Sequence, residues 1–494
     1  MKRNSLTTAV LAGLTGLAGM ASVSHAVNVN PDGLGQVLLY PYYTVRGGND
    51  TLISIVNTTS DHKAVKVRFM EALNSREVLD FNLYLSPWDV WTAALQETAA
   101  GGGKMTTTDR SCTVPNLFEL QGGVQDFLNF QYTGPNNDRG PQGIERTASG
   151  YIEVIEMGVV TDSTVQGFIK HVNGVPGNCN ALTGLWTTGP WATDPSFGLA
   201  PPSGGLFGSG TIVNVRQGTM LSYNAVAIDS FWSAGVISHT DPGSILPNLN
   251  SGDTTSRVFV NRTGVVDVDE QVWLEGVEAV NATIMHNQLF NEYGVLDVLA
   301  GRTEWVMTFP TKAFHVDNAP GGKILGAGPI PPFTNLWLQG GAGGQACERV
   351  TPRVWDREER EPATGIIVSP PPPKGFFEIC REAEIIRFSR DGNIPAATEI
   401  FGEPERPAFS TLTPTNFELP AGFQEGWLRF DFADGDNRTS RPAVRTGDRY
   451  VGLPVIGFSA QTFNNGVLPG GTLSNYGATF NHRGSRKVLG GTQS

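Results

Sequence analysis

The chain of 494 residues carries 35 Lys and Arg against 47 Asp and Glu, a formal net charge of −12. That acidic balance argues against nucleic acid and anionic membranes as partners, because both repel it. Only 17% of residues are charged, while 60 Gly and 32 Pro punctuate the chain, a mixture that suits short strands joined by turns and excludes long helical bundles.

The first 26 residues read as a secretory signal peptide. Lys2 and Arg3 form a basic start, Thr8 to Met20 an apolar run, and Ser24-His25-Ala26 a small-x-small cleavage site. The run is shorter than the ~20 residues that cross a bilayer, and no later segment is longer, so no membrane span is expected in the mature chain. The expected location is secreted, extracellular or at the cell surface, with the periplasm as the alternative.

Residues 27–245 read as an N-terminal β-sandwich domain. Strand signals run from Gly35 to Tyr43, Thr51 to Asn57, Ala64 to Met70 and Val78 to Leu85. In AVKVRFM, Val65, Val67 and Phe69 face one way and Lys66 and Arg68 the other, the pattern of a hairpin with one buried face. Ala99 to Arg146 and Asn173 to Gly210 read as long irregular regions, with strands between and after them at Gly150 to Met157, Thr211 to Arg216 and Ser222 to Phe231. Pro242 to Asp253, rich in Pro, Gly, Asn and Ser, reads as a linker.

Residues 255–486 read as a second β-rich domain that opens with a helix. Glu275 to Tyr293 places Val277, Val280, Ile284 and Leu289 on one face, with Gly294 as its stop. Thr303 to Phe309, Phe376 to Phe388, Gly426 to Phe432 and Leu453 to Phe463 read as strands. Arg353 to Glu361 and Pro370 to Pro373 read as loops. Three segments recur in order in the two halves: TLISIVNTT with TEWVMTFPTK, SGYIEVIEM with EGWLRFDFA, and YNAVAIDSF with PVIGFSAQTF. Their spacings differ, so a duplication and a chance likeness between strands both stand.

The four cysteines, Cys112, Cys179, Cys347 and Cys380, form no C-x-x-C pair. In an oxidising compartment they read as two disulfides, with Cys112–Cys179 and Cys347–Cys380 favoured because each bridge then stays within one half. Zinc is the rival reading, without a ligand spacing to support it.

The blocks from Gly33 to Ala93, from Thr303 to Lys312 (TEWVMTFPTK) and from Gly452 to Arg486 (GLPVIGFSAQTF…LSNYGATFNHRGSR) resemble a family of uncharacterised proteins secreted by Gram-negative bacteria. The resemblance implies a secreted or surface bacterial protein and brings no reaction, ligand or catalytic residue with it.

Chemical motifs are sparse. The histidines are scattered, and GFSAQ at Gly457 fails the G-x-S-x-G pattern at its last position. Asp431, Asp434 and Asp436 offer oxygen ligands that could hold Ca²⁺, although the sequence lacks the later Gly and Glu of an EF-hand, and a polar Asp-Gly turn is the simpler account of them. No other cofactor is expected. Asp267, Asp269 and Glu270 read as a solvated strand edge. Trp186 and Trp191, in a Gly-rich loop, are the candidates for stacking on a sugar, against the alternative that they pin the loop to the core.

The fold expected is all-β, as two antiparallel immunoglobulin-like sandwiches with long loops and one short helix. The function expected is a non-enzymatic surface, matrix or adhesion role, with other surface or matrix components as partners. The alternative is an extracellular protein that binds glycan or another small ligand, and a hydrolase stands last.

Overall fold

A computed structural model describes residues 25–262, 264–339, 344–362, 368–369, 377–390, 395–404 and 415–490. The signal-peptide reading up to residue 24 and the run Pro370–Pro373 lie outside the described residues. The fold is β-rich: among the described residues 44% are strand and 13% helix.

Two sheets stack in the first half. Their main strands are β1 (Val37–Thr44), β2 (Asn49–Asn57), β3 (His62–Glu71), β4 (Glu77–Leu85), β5 (Val90–Glu97), β6 (Ser149–Val160), β7 (Leu206–Asn214), β8 (Thr219–Asn224) and β9 (Val226–Asp229). One sheet runs β9-β1-β6-β3-β4 and the other β8-β7-β2-β5, with short strands added at the edges. The second half contains β10 (Gln288–Gly294), β11 (Gly301–Thr308), β12 (Glu348–Asp356), β13 (Phe377–Ile379), β14 (Ala383–Ser389), β15 (Glu425–Asp431), β16 (Ile456–Val467), β17 (Leu473–Asn481) and β18 (Arg483–Ser485). Its sheets run β18-β10-β15-β12-β13 and β17-β16-β11-β14.

The second half therefore repeats the first strand for strand, β10 standing for β1 through to β18 for β9, and every one of these pairings is antiparallel in both halves. Two of the three sequence parallels fall on equivalent strands, TLISIVNTT with TEWVMTFPTK on β2 and β11, and SGYIEVIEM with EGWLRFDFA on β6 and β15. The third does not: YNAVAIDSF ends β8 and forms β9, whereas PVIGFSAQTF leads into β16, the counterpart of β7.

The halves share a core. Val306, Ile385 and Phe458 of the second half join Leu38, Tyr40 and Tyr42 of the first in one buried cluster. Across the seam the ring of Tyr223 stacks on Phe458 at 4.9 Å, and Tyr42 Oη donates to Glu403 at 2.8 Å. Edge strands β8 and β17, equivalent in the two repeats, lie side by side, with Thr479 Oγ1 donating to the carbonyl of Ser222.

The charged face of β3 is not solvated as the alternation suggested. Lys66 and Arg68 are buried, because β3 sits inside a sheet covered on both faces. Lys66 pairs with Asp80 at 2.6 Å, and Arg68 with Glu77 at 2.6 Å and Glu153 at 2.8 Å. Pairing of this kind is what makes buried charge tolerable.

The helix is shorter than its hydrophobic pattern implied: Gly276–Ile284, opened by a capping box between Glu275 and Glu278. All of its residues are buried, so it is enclosed on every side rather than along one stripe, and its polar members are partnered: Glu278 with Arg441 at 2.6 Å and Asn281 with His315 at 2.8 Å. Leu289 and Tyr293 fit a helical stripe and a strand alternation equally. The chain takes the second option, as β10 pairs with β15. The stretch from Arg353, read as loop because of its charge, forms the outer part of β12; Pro352 is accommodated there because β13 pairs only with residues 348–350 of β12. Pro242 to Asp253 holds no helix or strand.

Both expected disulfides are present, Cys112–Cys179 closing 67 residues and Cys347–Cys380 closing 33. No described helix is long and apolar enough to cross a membrane.

Buried ionisable groups set a pH dependence. Burial pushes the Glu304 carboxyl up to about 7 and that of Glu382 up to about 8. Burial pushes His239 and His315 down to about 4. A raised carboxyl contributes stability that is present below its ordinary pKa and is lost as pH rises through the folded value. A depressed histidine contributes stability that is present above its ordinary pKa and is lost as pH falls through the folded value. Thermal melting is therefore expected to peak near pH ~6 and to fall towards both pH ~8.5 and pH ~4. Glu382→Gln should flatten the alkaline limb, and a wild-type midpoint that does not fall between pH ~6 and pH ~8.5 would contradict this assignment.

Candidate functional site

Residues expected to act from the sequence mostly prove structural. Trp191 is buried, stacks on Tyr84 at 5.6 Å and donates from Nε1 to the carbonyl of Phe197. Trp186 lies half-buried against it, donating to Tyr84 Oη at 3.2 Å, with His239 at 4.7 Å. The pair fixes the helix Cys179–Thr187 and its loop to the sheet, and the Trp191 ring offers no open face.

Asp431 ends β15 and accepts from the Ala433 N–H at 2.9 Å and from Gln288 at 3.3 Å. Asp434 and Asp436 follow in a turn with left-handed φ of 46° and 71°, and Asp436 pairs with Lys487 at 2.5 Å. These carboxylates are not among the described groups whose ligand atoms converge. The group that does converge, Cys347, Glu378 and Cys380, has both sulfurs joined in the disulfide, which removes the thiolates zinc would need. Asp267 is solvated, but Asp269 is buried and accepts from Tyr450 Oη at 2.7 Å.

One grouping has the residue types of a hydrolytic triad. Ser86 Oγ lies 3.1 Å from His171 Nδ1 and donates to Asp89 at 3.2 Å. Asp89 and Ser86 both approach the same ring nitrogen, with Asp89 at 3.6 Å from Nδ1. A relay needs the acid on one nitrogen and the nucleophile on the other, so this geometry activates no serine.

The open site with a chemical character of its own lies at the seam between the repeats. It is a cleft of about 730 Å³. Ser209, Thr211, Ser222 and Asn224, from β7 and β8, line one side. Phe290, Glu292, Trp427, Phe480 and Arg483, from the second half, line the other. Strand alternation places them. In β15, Leu428 and Phe430 point into the core, which leaves Trp427 and Arg429 outward. In β10, Leu289 and Tyr293 point in, which leaves Phe290 and Glu292 outward.

The aromatic surface extends beyond the cleft. Trp427 is 39% exposed and stacks on Trp355 of β12, with ring centroids 4.1 Å apart and planes 9° from parallel. Phe290 lies 6.3 Å from Trp427. Trp355 is held by a bond from Nε1 to Glu361 at 2.9 Å, and the guanidinium groups of Arg353 and Arg429 each lie 5.6 Å from its ring. Large aromatics on the solvent face of a sheet, beside hydroxyl and amide groups, are suited to stack on flat apolar faces and to hydrogen-bond the polar rims of a ligand.

Trp427 and Trp355 were missed in the sequence for different reasons. The stretch EGWLRFD alternates cleanly, and an indole on its polar face was the available signal. PRVWDREE hides its strand behind Pro352 and a run of charge. Comparison with known proteins returns no matching family model, no matching curated protein and no matching solved structure.

Proposed function

We propose that the protein is a secreted bacterial component of the cell surface or extracellular matrix that binds carbohydrate without altering it chemically, using the cleft and aromatic face at the seam. The periplasm is the alternative compartment. The observation that carries this reading is the outward-facing Phe290–Trp427–Trp355 row, with Trp427 exposed and its two neighbours half-buried, beside a cleft lined by serine, threonine and asparagine. A sugar ring presents an apolar face to an indole and hydroxyls at its edge, which matches both parts of the site. The disulfides agree with an oxidising compartment.

Affinity electrophoresis against a panel of soluble polysaccharides tests the binding. At least one should retard the protein, and Trp427→Ala should weaken that retardation about tenfold or more. Trp88, 69% exposed and outside the cleft, serves as the control, and Trp88→Ala should leave it unchanged. Retardation by no polysaccharide, or equal retardation of wild type and Trp427→Ala, would rule the site out. Protease shaving of intact host cells tests the compartment: cleavage places the protein outside, and protection until the outer membrane is opened places it in the periplasm.

A further inference from the structure

Resting on the carbohydrate reading, we infer that the ligand is an anionic polysaccharide, held by a row of arginines that crosses the outer face of the second half. The register sets the row. Phe290 on β10 is flanked by Arg483 of β18 on one side and Arg429 of β15 on the other, and Arg429 is followed by Arg353 of β12. The four side chains form one line across four strands, spaced by about 4.8 Å per strand. The line beside it holds Glu292, Trp427 and Trp355. Aromatic and cationic groups thus run in parallel across the sheet.

The charge on this line is available. Most buried arginines of the chain are committed to carboxylates, as Arg68 and Arg146 are. Among the described residues, Arg429 and Arg483 have no carboxylate partner, and Arg429 Nε is buried without a hydrogen bond. Arg353 has one, Glu361 at 3.3 Å, with both side chains about half exposed, a pairing that a ligand carboxylate can replace at little cost. Guanidinium groups bind carboxylate and sulfate in bidentate fashion. Two unpaired guanidiniums on an acidic protein, beside stacked rings, fit a polymer of charged sugars. Single-stranded nucleic acid also combines rings with charge, but the hydroxyl and amide groups of Ser209, Thr211, Ser222 and Asn224 beside the rings match the hydroxyl-rich edge of a sugar.

Isothermal titration of the intact protein separates the possibilities, with polygalacturonate as the anionic probe, dextran and glucomannan as neutral probes, and single-stranded DNA as a third class. Polygalacturonate should bind about tenfold or more tighter than the neutral polymers and should weaken as NaCl rises. Arg429→Gln and Arg483→Gln should each lower its affinity about tenfold and reduce the salt dependence, with an unchanged melting temperature. Trp427→Ala should lower the affinity for any bound glycan. Neutral glycans bound as tightly as polygalacturonate, with no effect of the arginine variants, would overturn the anionic assignment and leave carbohydrate binding standing. Absence of binding to all three polysaccharides would overturn both, and tighter binding of DNA would replace the ligand with a nucleic acid.

Discussion

Arg146→Ala should cost about 3–5 kcal/mol of unfolding free energy, because it strands two buried carboxylates. Arg146 lies in the turn segment before β6 and is buried. It donates through Nε and Nη2 to Glu71, both at 2.8 Å, and through Nη1 and Nη2 to Asp138 at 2.9 and 2.6 Å. Its guanidinium also sits 4.3 Å from the ring of Tyr132. Glu71 in turn accepts the backbone N–H groups of Leu73, Asn74 and Arg76, which shapes the turn between β3 and β4. The Asp138 carbonyl accepts from Trp337 Nε1 at 2.7 Å, so the network reaches into the second half. Arg146→Lys keeps the charge but can form neither two-point fork, and should fall between wild type and alanine. Urea unfolding monitored by circular dichroism measures both, and an alanine variant within about 1 kcal/mol of wild type would show that the network relaxes or hydrates freely.

Reduction of the two disulfides should be costly on a similar scale. In the chain-entropy model, loops of 67 and 33 residues each correspond to about 4 kcal/mol. The Cys112–Cys179 bridge has a further local role, because it ties the short strand Cys112–Val114 to the helix Cys179–Thr187 that carries Trp186. Cys112→Ser with Cys179→Ser should therefore lower the melting temperature and expose the Trp186–Trp191 cluster to quenchers, whereas Cys347→Ser with Cys380→Ser should leave that quenching unchanged. Four free thiols in the unreduced protein, counted by mass spectrometry, would contradict both bridges.

The sequence signalled strands well where one face is apolar and the other polar. β2 and β15 were legible because their alternation survives translation into a half-buried sheet. It misled in two situations. Where both faces are buried, as in β3, a Lys or Arg reads as solvent-facing although its partner carboxylate waits on a neighbouring strand, which no local pattern reveals. Where a segment fits two periods, as from Ile284 to Tyr293, pairing with a distant strand decides, and β15 lies far along the chain. The disulfide pairing was legible from the cysteine positions. The strand-for-strand repeat was visible only in fragments, because insertions as long as the one between β5 and β6 hide equivalent strands.

The site was less legible than the fold. Trp186 and Trp191 could be read either as sugar-stacking rings or as pins of the loop to the core, because a Gly-rich setting carries no information about what the loop packs on; the fold realises the second. Trp427 and Trp355 face outward on adjacent strands that meet only in the folded sheet, together with Phe290 from a third. The repeat of sheets explains why the cleft exists at all: edge strands β8 and β17 abut without a shared ladder, and the space beside them is walled by both repeats. Trp88 marks the contrast, an exposed indole with a left-handed φ of 61° in a tight turn, apart from that cleft.

Oxidative footprinting of the intact protein, with and without a retained polysaccharide, tests the binding site most directly. Bound polymer should protect Trp427, which is exposed in the free protein, while Trp88 stays as reactive as before. Trp427 unprotected at saturating polysaccharide, or protection at Trp88 in its place, would contradict the assignment of the seam as the carbohydrate site.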